Sequence, residues 1–200
     1  GIFRLVLAII DFTFVVYMIP GMWGAPLKAL SGYLPPLETQ DFVIGKYSRT
    51  PDDAPSVPEG GNIVSLPHGL FGYDNIEDAL AEAGLAGKPV FVDISGHGCV
   101  NCREMEARVW SDPEVLGLLR DNYVIAALYT DDKTILPESR WITTASGKVL
   151  KDLGRVNSYI VRERFGVNAQ PNYALLDADG ALISPVRGYD LDVNGFVAFL

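Results

Sequence analysis

The chain has 200 residues, 48% of them hydrophobic and 20% charged, with a formal net charge of −9 at pH 7. This length supports one ordinary hydrophobic core and some additional segments. The acidic balance, without a basic cluster or a glycine-rich phosphate loop, argues against nucleic acid as a partner. Because the chain contains 2 cysteines, a four-cysteine zinc site is excluded.

Residues 1–20 are almost wholly apolar, and their length approaches the roughly 20 residues that a membrane span requires. No small-x-small cleavage site of a signal peptide follows them, and Tyr17 and Trp23 resemble interfacial anchors. We therefore expect the end of a transmembrane helix here, the last helix of a larger membrane part. Asp11 should face other helices or water. The alternative is a buried helix of a soluble protein.

The next segment, residues 21–62, is rich in proline, glycine and aspartate, which is the composition of a linker. Its first part, with Trp23 and Tyr33 among several prolines, is suited to the membrane surface. The sequence thus predicts three parts. They are the end of a transmembrane helix (1–20), a membrane-proximal segment with a Pro/Gly-rich linker (21–62), and a domain (63–200) whose C-terminal helix is truncated.

Strands and helices alternate in the predicted domain, in the order (β)αβαβαββα. A short strand near residues 62–66 is the first of them. Asp74 or Asn75 can cap the first helix, and Gly84 and Gly87 should end it. The other predicted elements are a buried strand (90–94), a helix (103–110), a helix from Pro113, a strand (123–129), a hairpin (141–150) turning at Ser146-Gly147, a helix (157–165), a strand pair (172–177 and 181–184) and a helix from Asp192.

The two cysteines, Cys99 and Cys102, are spaced C-x-x-C where the buried strand leads into a helix. Unpaired N–H groups and the dipole at a helix start stabilise an anion, so the pKa of the Cys99 thiol should fall. We expect Cys99 to be the exposed nucleophile and Cys102 to be more buried and to resolve a mixed disulfide. The alternatives are an inert disulfide, which adds little stability across so short a loop, and a mixed metal site with His97.

The element order, the C-x-x-C after the first long strand and the proline before the last strand pair resemble the thioredoxin superfamily. Asp93 stands six residues before Cys99, where thioredoxins keep a buried aspartate. Gln170-Pro171 stands where they keep a cis-proline that faces the disulfide. The resemblance covers residues 63–200 and implies an α/β thioredoxin fold, with a central mixed sheet flanked by helices. A cis Pro171 would turn the Gln170 backbone outward to bind an incoming cysteine peptide.

Within that superfamily, the chain resembles the C-terminal domain of the DsbD family of membrane thiol–disulfide reductases. The shared features are Cys-Val-Asn-Cys-Arg-Glu-Met-Glu at residues 99–106 and Ser-Asp-Pro-x-Val at 111–115. Glu106 falls on the position of the family's second active-site acid. Two departures leave the acceptor specificity open: Gly98 replaces the usual tryptophan, and the segment 130–157 is longer than expected.

Single residues near the motif carry further hypotheses. Burial of Asp93 would raise its pKa and let it accept the Cys102 proton, whereas the alternative is a capping or salt-bridged aspartate. Glu106 would assist it, and its alternative is a solvated helix face. His97 can stabilise a thiolate when protonated, but an exposed loop position explains it as well. Trp110 and Trp141 are predicted to pack in the interior.

The resemblance implies a membrane-tethered protein-disulfide reductase in the bacterial inner membrane, with its domain facing the periplasm. Cysteines of a membrane domain would donate electrons, and oxidised thioredoxin-like envelope proteins would accept them, with cytochrome c biogenesis as an implied setting. Neither a metal nor a cofactor is expected beyond the redox-active pair Cys99–Cys102. The alternatives are an oxidase or isomerase, since the reduction potential sets direction, and a non-catalytic binding domain with a fixed disulfide or metal clip.

Overall fold

The computed structural model describes residues 1–20 and 63–200, so the predicted linker 21–62 lies outside the described residues. Helix α1 spans Ile2–Met18 and buries none of its side chains; Phe3 is 75% exposed. Across these two described ranges, no helix combines the length and the apolar character needed to cross a membrane.

A six-stranded mixed sheet forms the centre of the domain, in the order β1-β2-β4-β3-β7-β8. Strand β3 pairs in parallel with β4 and antiparallel with β7, and all of its residues are buried. The strands of this sheet are β1 (Ile63–Ser65), β2 (Phe71–Tyr73), β3 (Val90–Ser95), β4 (Val124–Tyr129), β7 (Asn172–Leu176) and β8 (Arg187–Gly188); β5 (Ile142–Thr143) and β6 (Val149–Leu150) form a separate hairpin.

Helices cover both faces of the sheet, which confirms the predicted α/β architecture. They are α2 (Ile76–Ala86), α3 (Val100–Met105), α4 (Pro113–Asn122), α5 (Leu153–Phe165) and α6 (Val193–Phe199). Because side chains alternate along a strand, β3 contributes to two cores. Phe91 packs with residues of α3, α4 and α6, whereas Val92 packs with residues of α2 and α5. Asp93 shares the face of Phe91.

Several predicted boundaries need correction. Helix α2 is capped by Asn75, whose side chain accepts the N–H of Asp78, and it ends at Gly87 in the left-handed conformation, with Gly84 inside the helix. Helix α5 begins at Leu153, four residues before the predicted start, because the Asp152 side chain caps it. Strand β2 was not predicted at all.

The predicted strand 181–184 is present only as an isolated bridge, in which Leu182 pairs with Leu176 next to two backbone hydrogen bonds. The strand that pairs with the outer edge of β7 is β8, while β3 pairs with its other edge. A turn precedes residues 181–184. It is closed by Asp177, whose carboxylate accepts the N–H groups of Asp179 and Ala181. The chain therefore runs further before it rejoins the sheet edge.

The long segment after β4 contains the predicted hairpin, β5 and β6, and builds a small core of its own. Trp141 packs against that core and donates its indole N–H to the carbonyl oxygen of Leu136, at 2.8 Å. Arg140 pairs with the buried carboxylate of Asp74. This ion pair therefore joins the long segment to the main domain near the start of α2. The members of the small core are Leu136, Leu150, Leu153 and Val156.

The redox helix is also less regular than predicted. It starts at Val100 as an α-helix and changes to a π-helical turn over Glu106–Trp110. His68, which has a left-handed backbone (φ 62°), donates its ring N–H to the carbonyl oxygen of Glu106 at 2.8 Å. A π-helical turn leaves some backbone groups without their usual helical partners. Here the His68 ring supplies a donor to one of them, the Glu106 carbonyl. Trp110 is fully buried, as expected.

Candidate active site

A disulfide joins Cys99 and Cys102 at the start of α3, with an S–S distance of 2.00 Å. Cys99 is the N-cap of the helix, and the N–H of Cys102 donates to its sulfur at 3.1 Å. Cys99 is 7% exposed and Cys102 is 2% exposed. Cys102 is more buried than Cys99, as expected. Cys99 is nevertheless not broadly exposed, because the turn before it folds back and the Cys99 N–H donates to the Gly96 carbonyl.

Asp93 lies on β3, six residues before Cys99, and is 2% exposed. Burial, reinforced by the charge of Glu106, raises its pKa well above the ordinary value, and the charge of Arg103 opposes the rise only in part. Asp93 takes part in none of the salt bridges within the described ranges. The alternative of a salt-bridged aspartate is therefore wrong, and a carboxyl with a raised pKa keeps its proton to a higher pH than an ordinary aspartate does.

Glu106 is 6% exposed and pairs with Arg103, which is 8% exposed; one guanidinium nitrogen donates to both carboxylate oxygens at 2.7 Å. The alternative of a solvated helix face is therefore wrong. A second nitrogen of Arg103 donates to the Gly96 carbonyl at 3.2 Å. Arg103 thus joins the acid behind the disulfide to the turn in front of it. The sequence did not reveal this role, since arginine is seldom buried.

Tyr173 is a further buried titratable group that the sequence did not single out. It stands directly opposite Asp93 in the pairing of β3 with β7, so both side chains lie on one face. Its ring stacks on Phe91 with centroids 5.6 Å apart and meets Phe196 edge-on. Burial and the charges of Asp93 and Glu106 raise the pKa of Tyr173, so it stays a neutral phenol.

In front of the disulfide, the turn at residues 96–98 is held by the start of the long segment. The carboxylate of Asp131 accepts the N–H of His97 at 2.8 Å and the N–H of Gly98 at 2.9 Å. The His97 ring stacks on Tyr129 and donates to Asp132 at 3.1 Å. The His97 side chain is 54% exposed, as the loop hypothesis expected, although its ring is fixed.

The Gln170-Pro171 peptide bond is cis, as predicted. The Gln170 side chain lies against Gly96, where a β-carbon would come within 2.5 Å of its amide nitrogen, and its amide oxygen accepts the hydroxyl of Thr130. A cavity of about 370 Å³ lies beside this loop, between Ile94, Arg162 and Gln170. The structure thus places Gln170 next to the active-site turn.

The predicted residues therefore lie at one end of the sheet: Asp93 on β3, Cys99, Cys102 and Glu106 on the helix that follows it, and Gln170 and Pro171 beside the turn between them. In the part of the chain that the structure describes, no three His, Cys, Asp or Glu side chains are arranged to hold a metal ion. Arg103, Asp131 and Tyr173 complete the site. Their signal in the sequence is weak, because each depends on a contact that the fold creates.

Comparison with known proteins agrees with this geometry. The model of the thioredoxin-like domain family matches residues 76–200, which is more than half of the chain. The thiol:disulfide interchange protein DsbD of Escherichia coli K12 is 40% identical over 57 residues, 28% of this chain and 10% of that protein. The protein of the same name from Citrobacter koseri gives the same values. The match thus spans about a tenth of the length of these curated relatives.

Two solved structures are also similar. A thioredoxin from Thermus thermophilus has a TM-score of 0.43 and 24% identity, over 62% of this chain and 78% of that chain. An oxidoreductase named DsbH has a TM-score of 0.43 and 16% identity, over 58% of this chain and 71% of that chain.

Proposed function

This chain belongs to the thioredoxin-like domain family, and on that premise we propose that it is a membrane-tethered protein-disulfide reductase. At the general level it is a thioredoxin-like thiol–disulfide oxidoreductase. The observation that supports the proposal most is the Cys99–Cys102 disulfide at a helix start, directly after a strand that carries the buried carboxyl of Asp93.

The reaction begins with both cysteines reduced. The Cys99 thiolate attacks a disulfide of the acceptor, forms a mixed disulfide and releases one acceptor thiolate, which takes up a proton. Cys102 then loses its proton and attacks the Cys99 sulfur. The mixed disulfide breaks, the second acceptor thiolate leaves, and the Cys99–Cys102 disulfide forms. Two electrons pass to the acceptor, and no bound cofactor takes part.

Asp93 is the proposed acceptor of the Cys102 proton. Its carboxylate form is costly in the interior, so accepting a proton there is favourable, and the same proton leaves when the thiol is regenerated. Glu106 contributes through its charge, since it raises the pKa of Asp93. Because Arg103 holds Glu106 in an ion pair, Asp93 is the better proton carrier of the two.

The acceptor polypeptide would bind along the Gln170-Pro171 loop, next to the active-site turn. Backbone groups there can pair with an extended peptide in the manner of an added strand. The neighbouring contact between Gln170 and Gly96 supports this placement, because it brings the loop against the turn that precedes Cys99. Oxidised envelope proteins are the proposed acceptors.

The tether and the electron donor form the membrane part of the proposal. Helix α1 exposes apolar side chains around its whole circumference, and Asp11 interrupts them. Packing against further helices in a membrane would remove that surface from water and give Asp11 polar neighbours. Cysteines of such a membrane domain would reduce Cys99–Cys102. The domain would face the periplasm, with Arg4 at the cytoplasmic end of α1.

Trapping tests the nucleophile. The Cys102→Ser chain, reduced and mixed with a peptide disulfide, should accumulate a mixed disulfide at Cys99 because the resolving thiol is absent. The Cys99→Ser chain is the matched control and should trap little. Equal trapping by the two variants, or trapping only by Cys99→Ser, would refute the assignment.

Labelling tests the location. In cells with an intact inner membrane, a thiol reagent that cannot cross that membrane should alkylate reduced Cys99 of the protein that carries this chain. Alkylation only by reagents that cross the inner membrane would contradict a periplasmic domain.

A further inference from the structure

Asp131 occupies an unusual place for an anion, directly in front of the redox pair. It follows β4, and its two carboxylate oxygens accept the N–H groups of two successive residues, His97 and Gly98. Gly98 is the residue before Cys99. A β-carbon on Gly98 would lie 3.5 Å from the Asp131 carboxylate. The Asp131 carboxylate therefore bonds the backbone one residue before the proposed nucleophile, Cys99.

Contacts of the next residue, Asp132, hold the backbone that carries Asp131. Asp132 follows it and pairs with the His97 ring, which in turn stacks on Tyr129 with centroids 4.3 Å apart. The backbone behind it contacts α5, where the N–H of Gly154 donates to the Asp132 carbonyl at 2.9 Å. The start of the long segment is thus a rigid support for the active-site turn.

Asp131 remains charged at neutral pH. Burial pushes its pKa up, but the N–H groups of Gly98 and His97 outweigh that effect and hold it below the ordinary value. The His97 ring pairs with the carboxylate of Asp132, and the Arg103 guanidinium, which bonds the Gly96 carbonyl of the same turn, is paired with Glu106. The Asp131 carboxylate therefore presents a negative charge to the turn that precedes Cys99.

We propose that Asp131 is a positioning residue for Cys99 and that its charge favours the disulfide over the thiolate. It fixes the turn through two hydrogen bonds, and it repels negative charge on the sulfur that the helix start would otherwise stabilise. A less stable thiolate makes the reduced pair a better electron donor, since stabilising the reduced form is what makes such a pair oxidising. This inference rests on the proposed reductase function and assigns part of its direction to one residue.

The test is the rate of Cys99 alkylation against pH in the full chain, fully reduced, with Cys102→Ser as the common background. Asp131→Asn should react about three to ten times faster at pH 7, the size expected for removing one charge near the thiolate in a partly aqueous site. The alkylation rates of the parent and the variant should converge at high pH, where Cys99 is ionised in both. In 1 M salt the difference should shrink, because charges are screened over about 3 Å.

Asp121→Asn is the matched control. It removes the same charge at the opposite end of β4, where Asp121 is exposed and bonded to Arg120, and it should leave the pH profile unchanged. Asp131→Glu keeps the charge, so its alkylation rate should stay close to that of the parent. If Asp131→Asn matches Asp121→Asn at low salt, or if its effect persists in 1 M salt, the charge role is refuted. If Cys99 of the parent itself fails to react, the proposed function fails instead.

Discussion

The disulfide has carboxylates on both sides, and the two groups behave in opposite ways. Behind it, the inner site consists of Asp93, Glu106 and Arg103; in front, the outer site consists of His97, Asp131 and Asp132. Burial raises the pKa of Asp93 in the inner site. In the outer site, N–H donors outweigh burial and lower the pKa of Asp131 and of Asp132.

The difference shows that environment, and not residue type, decides what an aspartate does here. A carboxyl with a raised pKa binds a proton more tightly than an ordinary aspartate and so is a candidate for proton transfer. A carboxylate with a lowered pKa stays charged and can act only through its field and its hydrogen bonds. Four substitutions probe this contrast.

Arg103→Met should give the largest effect, because it leaves the Glu106 carboxylate in the interior without that cation. Breaking one partner of a buried ion pair costs about 3–5 kcal/mol. Chemical denaturation of the oxidised chain at pH 7 measures the loss. Arg103→Lys, which keeps the charge, should recover part of it. The control Arg120→Met removes an exposed ion pair and should leave the unfolding free energy unchanged; equal stability of Arg103→Met and the parent would contradict the inner site's ion pair.

Asp93→Asn should slow resolution of the mixed disulfide by about 100-fold at pH 7, the lower range for losing a general base. It should also stabilise the chain. The folded state holds the Asp93 proton over a pH range where the unfolded state has lost it, so this residue lowers stability as pH rises from its ordinary pKa to the raised one.

Two measurements on Asp93→Asn check this: stopped-flow resolution between pH 6 and 9, and unfolding at pH 4 and pH 8. The stabilisation should be larger at pH 8. A resolution rate that matches the parent across that range would remove Asp93 from proton transfer, and a stability gain that is equal at both pH values would contradict the raised pKa.

Gly154→Ala should disturb the outer site alone. A β-carbon at this position would lie 2.6 Å from the Asp132 carbonyl oxygen, so the backbone there must move, at a cost of about 1–3 kcal/mol. Hydrogen exchange should show lost protection in residues 130–154 and none in β3. Gly84→Ala, a helical site where the added carbon meets nothing within 4 Å, is the control and should be neutral or slightly stabilising. A similar response of both variants would contradict the close packing.

Asp132→Asn should have the smallest effect. The pair with His97 is partly exposed, and such pairs contribute less than about 1 kcal/mol. Because its folded pKa is lowered, the contribution exists above the ordinary aspartate pKa and is lost as pH falls through the folded value. In thermal melts, the difference between the variant and the parent should therefore be larger at pH 7 than at pH 3. A larger difference at pH 3 would reverse this assignment.

The inner site was largely predictable because its signals are local. Asp93 lies on a continuous apolar strand at a short spacing from Cys99, and that strand is buried on both faces. The cis bond before Pro171 was expected from the resemblance, since Gln170-Pro171 stands where thioredoxins keep a cis-proline. The burial of Arg103 was not predictable, because the contacts that stabilise it there, with Glu106 and the Gly96 carbonyl, form only when the chain folds.

The outer site depends on contacts between distant parts of the chain. Asp131 reaches Gly98 across 33 residues, and nothing in the composition of the long polar segment separates it from an ordinary loop. Strand β2 was missed for a related reason: it has three residues, one of them Gly72, and forms because β1 and β4 lie on either side of it.

The equilibrium reduction potential of Cys99–Cys102 in the full chain tests the central claim most directly, namely that this pair donates electrons. The chain would be equilibrated in glutathione and dithiothreitol buffers, and the two cysteines assayed by alkylation. We predict a value close to that of thioredoxin, about −270 mV. A value near that of a strong oxidant, about −120 mV, would contradict the reductase and indicate that the pair accepts electrons from its partners.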